Sequence, residues 1–312
     1  MARVDEPVII EAAINGGATK AANPHVPISP DEHVADILAS LGAGAAIVHH
    51  HDALAPTDRA ARLAEVAGGV FRQVLTERPD ALCYPATVWG GPIEERLAHH
   101  RLLADEGLLR VAFLDPGSTN LGVADAEGLP APTDFIYAHS PREVRWWFDE
   151  LTDLQLGPMF SIFEPSFLRV PLAYERAGKL PRGSFVKLYF SGGGRSDGRA
   201  WAFGMPPLPA CLDAYLAMLE GSNAPWAVAV LGGDVIESGL ARLALERGGH
   251  LRVGLEDYVG DDQPTNAEVV ARAVELCAAV GRPVATPDQA AQLLDVPRAR
   301  SRRPTGAVVP AT

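Results

Sequence analysis

The 312-residue chain has only three cysteines, Cys83, Cys211 and Cys277, far apart and with no CxxC pair. This excludes a disulfide framework and a zinc knuckle, and fits a reducing cytoplasm. A long apolar run is also missing. No stretch approaches the roughly 20 residues of a membrane span, and residues 1–7 carry charge where a signal peptide would be apolar. Positive charge is scarce: 27 Lys and Arg against 39 Asp and Glu give a net charge of -12. That argues against a nucleic-acid surface or an anionic membrane surface, though a local cation or metal could still hold an anionic ligand. No GxGxxG loop follows the first apolar run; Asn15-Gly16-Gly17-Ala18 is glycine-rich without that spacing.

Hydrophobic residues make up 47% and charged residues 21%, enough for a sizeable core. Near-continuous apolar runs at 8–14, 45–51, 81–87, 110–116, 158–164, 185–191, 226–233 and 250–257 read as strands buried on both faces. Helical signals lie between most of them. Ser29-Pro30-Asp31-Glu32 is a capping box with proline at the first helical position, followed by Val34, Ile37, Leu38 and Leu41 at helical spacing. Ser140–Glu143, Thr265–Glu268 and Thr286–Gln289 repeat the signature. The alternation predicts an α/β fold, a single (β/α)8 TIM barrel over residues 1–296, with a doubly wound sheet as the runner-up. Residues 297–312, with Arg298, Arg300, Arg302 and Arg303, read as a loose extension.

The second run ends in His49-His50-His51-Asp52. In an extended strand His49 and His51 face one way and His50 the other. Two imidazoles at a strand end are half of a zinc-type site; alone, they are equally a polar strand end, and His50 reads as structural. The eighth run ends in Arg252-Val253-Gly254-Leu255-Glu256-Asp257. Strands two and eight both neighbour strand one in a barrel, and their C-terminal ends can meet at the mouth, where barrel active sites lie. Arg252, Gly254 and Glu256 would share one side of an ideal strand. Glu256 is then the third ligand, with Asp257 free to act as a base held by Arg252. Separately, Arg252 and Glu256 read as an ion pair closing the barrel. Thr87 could offer a hydroxyl to a bound carboxylate. The glycine clusters 191–194 and 231–234 could cradle an anion or be tight turns. His99-His100 read as solvated, and Trp146-Trp147 as packing a helix onto the barrel.

Several segments together resemble a known family. They are Ala12-Ala13-Ile14-Asn15-Gly16, Pro27-Ile28-Ser29-Pro30, Gly44–His51, Trp226–Ala229, Gly248–Asp257, Thr265-Asn266-Ala267 and Gly281–Pro287. The family is that of the β-keto acid cleavage enzymes (3-keto-5-aminohexanoate cleavage enzyme-like), and the resemblance covers about residues 8–294. It implies a zinc-dependent barrel, commonly a homotetramer. It also implies a reaction in which a β-keto acid and acetyl-CoA give acetoacetate and a new acyl-CoA. Carried over, zinc sits on His49, His51 and Glu256, while Asp257, assisted by Arg252, deprotonates the carbon between carboxylate and ketone. The strand-end residues on their own point to the metal and the base; they do not point to CoA.

The chain departs from the family pattern where the substrate's tail and carboxylate would bind. A glutamate that holds an ammonium group is replaced by Ala18, and an arginine after the second zinc histidine by Ala53. A Ser-Thr-Gly-Gly-like segment becomes 85–91, and a polar contact on strand four falls at Phe113. Thr87 and Asn15 are then the candidate carboxylate donors. An apolar tail fits these changes; Glu11, Asp115 and Glu164 would instead select a cation. Two other readings compete. A metal-dependent amidohydrolase would need further histidines after strands five and six, where Glu164 and Ser191 stand. A metal-bound ligand-binding barrel without turnover would not need the Arg252–Asp257 pair.

Overall fold

A computed structural model describes residues 6–52, 60–87, 90–125, 127–194 and 204–299. Eight parallel strands form one sheet: β1 (Ile10–Ala13), β2 (Ile47–His50), β3 (Leu82–Pro85), β4 (Val111–Leu114), β5 (Gly157–Ile162), β6 (Phe185–Ser191), β7 (Trp226–Leu231) and β8 (His250–Val253). The order β3-β2-β1-β8-β7-β6-β5-β4 brings β3 and β4 to the two edges. These edges face each other and nearly close a (β/α)8 barrel. The helices are α1 (Pro30–Ala43), α2 (Ala60–Glu77), α3 (Ile93–Arg96), α4 (Ala98–Asp105), α5 (Pro141–Leu154), α6 (Pro165–Arg176), α7 (Pro209–Met218), α8 (Leu240–Glu246), α9 (Asn266–Val280) and α10 (Pro287–Leu293).

All four predicted capping boxes form. Ser29, Ser140, Thr265 and Thr286 each accept from the backbone N–H three residues on, and the Glu or Gln there reaches back. The strand residues are buried because helices cover the outside and side chains fill the inside. Trp147 of α5 is fully buried, its ring 5.0 Å from Phe113.

The eighth strand is shorter than predicted. It stops at Val253, because Gly254 takes φ +125°, where an added Cβ would collide with the Ala13 carbonyl. Glu256 therefore reaches the mouth from a turn and not from a shared strand face. His99 and His100 are buried, not solvated: α4 packs them against the end of β3, where His99 Nε2 meets the Ala86 oxygen at 2.8 Å. Of the expected extension, residues 300–312 lie outside the described residues, as do Ala53 and 88–89. Pro297 accepts a bond from Arg110 Nε at 3.2 Å.

His250 opens β8 with Nδ1 accepting the Ile9 N–H at 3.0 Å, so it is held neutral. Burial, reinforced by Arg282, pushes its pKa down to about 3. The unfolded imidazole takes a proton near pH 6.5 that the folded one refuses, so this group's contribution to stability is lost as pH falls from about 6.5 toward 3. Between pH 7.5 and 5.0, urea unfolding should cost the wild type about 2 kcal/mol more stability than His250→Gln. Equal losses in the two proteins would refute this.

Candidate active site at the barrel mouth

The geometry starts from β1. In parallel register Ala13 pairs with His49 and Glu11 with Arg252, so those four side chains share the barrel interior. His49 lies in β2 and His51 one residue beyond its end. Asn15 fixes that end: its Oδ1 accepts the His51 N–H and its Nδ2 donates to the His51 carbonyl, both at 2.8 Å. Glu256 is set over β1 by its own N–H, which donates to the Ala13 oxygen at 3.1 Å. Gly16, at φ +51°, leaves no room for a Cβ beside the Glu256 side chain.

These constraints converge three side chains. His49 Nε2 and His51 Nε2 lie 3.6 Å from Glu256 Oε2 and Oε1 respectively, and one donor atom from each residue lies within 4.8 Å of the others. His49 Nδ1 lies 3.2 Å from the Tyr84 carbonyl oxygen, to which it donates in the tautomer that leaves Nε2 a free lone pair. Burial holds His49 well below the usual histidine range and therefore neutral. Glu256 Oε2 is buried without a hydrogen-bond partner. Two imidazoles and a carboxylate with an unpartnered oxygen fit a divalent ion with open positions. Burial alone would raise Glu256, but Arg252, His51 and His49 outweigh it and hold the carboxyl well below the usual range.

Arg252 ties this triangle, through Glu256, to two further carboxylates. Its Nη2 is 2.9 Å from Glu256 Oε1, its Nε 2.8 Å from Asp257 Oδ2, and its Nη1 2.7 Å from Glu11 Oε1. Burial pushes Asp257 up to about 6 against the pull of Arg252. Asp257 borders a cavity of only about 10 Å³ behind Arg252, whereas Arg252 and Glu256 line the main cavity of about 310 Å³ at the mouth. A larger cavity, about 900 Å³, lies elsewhere around Arg110 and Arg182, and Arg182 is engaged with Asp295 there.

The floor of the site is built from residues that no sequence pattern singled out. Lys187 of β6 donates to Glu11 Oε1 at 3.2 Å and to the Tyr84 hydroxyl at 2.7 Å, and that hydroxyl donates to Glu11 at 2.8 Å. A lysine alone in an apolar strand was the available signal. Glu11 is thus neutralised by Lys187 and Arg252 and is not free to select a substrate cation, as the sequence had allowed. Glu164 likewise accepts from Thr119 and the Gly204 N–H, at 3.0 Å each. Asp115 lines the main cavity and is bonded to the Tyr137 hydroxyl. Thr87 also lines it, with its hydroxyl donating to the Arg96 carbonyl at 3.2 Å. Asn15 does not line it; its amide is committed to His51, Pro27 and His33. The amides of Gly192 and Gly194 are spent on the Leu231 and Gly232 carbonyls, and that of Gly233 meets the Asp257 carbonyl, so they act as tight packing.

No helix among the described residues is long and apolar enough to cross a membrane. Among solved structures the apo form of ObcA matches with TM-score 0.65 at 17% identity, covering 88% of this chain and 66% of that one; this supports the barrel fold alone. The 3-oxoadipate:acetyl-CoA acetyltransferase of Cupriavidus necator is 32% identical over 303 residues, 94% of this chain and 96% of its own length. The 3-keto-5-aminohexanoate cleavage enzyme of Fusobacterium nucleatum is 28% identical, covering 93% and 98%. The 3-dehydrocarnitine:acetyl-CoA trimethylamine transferase of Rhizobium meliloti is 24% identical, covering 90% and 94%. The beta-keto acid cleavage enzyme family profile matches residues 7–296, and together with the Cupriavidus relative it establishes that the chain belongs to the β-keto acid cleavage enzymes.

Proposed function

We propose that the chain transfers an acyl group by cleaving a β-keto acid with acetyl-CoA, using a zinc-type ion on His49, His51 and Glu256. The observation that carries the reading is the meeting of that donor triangle with the Arg252–Asp257 pair at one barrel mouth. The names of two relatives, both acetyl-CoA transferases, supply the co-substrate. A bound ion would supply Lewis-acid stabilisation where negative charge builds on the substrate's keto oxygen.

The protein's own groups do the rest. Asp257 takes a proton from the carbon between carboxylate and ketone, and Arg252 orients it and shares its charge. Because Asp257 borders the cleft behind Arg252, its carboxylate turns past the guanidinium to reach the cavity. The carbanion attacks the acetyl thioester carbonyl and expels CoA thiolate. The thiolate then attacks the original ketone carbon. The carbon–carbon bond breaks toward the new acetoacetate unit, and Asp257 returns the proton. The products are acetoacetate and the acyl-CoA of the original keto side, with no net redox change. Lys187 and Tyr84 hold Glu11 in the floor of the site. A cavity of about 310 Å³ suits a small keto acid with the thioester end of acetyl-CoA; the nucleotide end lies outside. The domain reading remains one catalytic barrel over residues 1–296 followed by a short extension. A homotetramer and a cytoplasmic setting belong to the same reading, the first resting on the resemblance and the second on three unpaired thiols.

A panel of β-keto acids with apolar, anionic and cationic tails, each given with acetyl-CoA, tests the reading. At least one should yield acetoacetate and an equal amount of new acyl-CoA, and His49→Ala should lose both the turnover and its ion. No acetoacetate from any member, with the ion present, would overturn the reading.

A further inference from the structure

We propose that His33, His50 and Asp52 form a second divalent-ion site of zinc type, structural in role, on the outer side of β2. Strand alternation sends His49 and His51 into the mouth and His50 the opposite way, toward α1 and α2. There it meets His33 of α1, with ring centroids 5.0 Å apart, and Phe71 of α2 at 5.3 Å. Asp52, just past the strand end, brings Oδ1 to 3.3 Å from His50 Nε2. One donor atom from each of the three lies within 4.8 Å of the others.

Zinc bonds of about 2.0–2.2 Å in a tetrahedron set donors roughly 3.3–3.6 Å apart. The His50–Asp52 pair already has that spacing, and His33 needs to close by about 1.5 Å at most. The pocket is dry: His33 and His50 are 1% and 0% exposed, and the Asp52 side chain 2%. It is also unsatisfied. His33 Nδ1 and His50 Nδ1 are buried with no hydrogen-bond partner, while His50 Nε2 and Asp52 Oδ1 have only each other, at 3.3 Å. Buried polar groups are nearly always partnered, so unpartnered ones call for a bound water or an ion. Two imidazoles and a carboxylate are the donor set that zinc takes, and an ion there satisfies several of these atoms at once.

The site has a mechanical link to the mouth. The Asn15 amide that grips the His51 carbonyl also packs 3.2 Å from His33 Nε2, a contact and not a hydrogen bond when Nδ1 keeps its lone pair for an ion. An ion behind the strand would therefore fix α1 against the strand end that carries the catalytic histidines.

Elemental analysis of the full-length protein, loaded with zinc and dialysed, tests this. The wild type should hold about two ions per chain, His33→Ala and His49→Ala about one each, and the double variant none. Asp52→Asn gives a second route if His33→Ala does not fold, and should also hold one. A wild type with one ion, retained by His33→Ala and Asp52→Asn and lost by His49→Ala, would sink the second site while leaving the proposed function intact. One ion lost by His33→Ala and kept by His49→Ala would support this site and sink the catalytic assignment.

Discussion

Asp257→Asn should lower turnover by roughly 10²–10⁴-fold, the usual worth of a positioned general base. The substitution keeps the shape of the side chain and removes its basicity, and Asn still accepts the Arg252 Nε–H at the place where Asp257 sits 2.8 Å away. Folding and metal content should therefore stay close to the wild type, and the loss should fall on kcat more than on KM. Asp257 is not among the three residues whose donor atoms converge, so elemental analysis separates this variant from His49→Ala. A variant with wild-type turnover would remove Asp257 as the base and turn attention to the Arg252–Glu256 pair.

The second large effect is on stability. Arg252 is 1% exposed and serves Glu11, Glu256 and Asp257 at once. Arg252→Met leaves buried carboxylates short of a counter-charge, and breaking such a pair from one side costs about 3–5 kcal/mol. In a chain of this size that lowers the melting temperature by about 5–8 °C. Arg252→Lys should recover part of the loss, because one ammonium can serve only a subset of the three geometries that a planar guanidinium serves together. Scanning fluorimetry of both variants checks this; a methionine variant as stable as the wild type would show that Lys187 alone balances the interior.

Much of this architecture was legible in the chain. Apolar runs, the capping boxes and the proline-started helices are local signals, and the barrel follows from their alternation. His49 and His51 were legible because a strand has a period of two. Glu256 was placed in the right company for a partly wrong reason: Gly254 breaks the strand, and a turn, not a shared strand face, delivers the carboxylate. What the sequence hid depends on distant partners. Lys187 and Tyr84 lie 103 positions apart and read as odd polar residues in apolar strands until the barrel brings them to Glu11. Asn15 was a candidate carboxylate donor beside Thr87, yet the neighbouring strand end claims its amide. His99 and His100 looked solvated because a helical stretch of polar residues usually is, and no local pattern announces the carbonyls at the end of β3.

The charged floor has a consequence for how the barrel is assembled. Glu11, Tyr84, Lys187 and Arg252 come from β1, β3, β6 and β8, so the ionic knot forms only when strands from across the barrel are in step. A slip of one residue in any of these strands turns its polar member out of the barrel and leaves an unbalanced charge inside. The knot thus acts as a proofreading device: apolar strands that could pair in several alignments are admitted to the closed barrel in one.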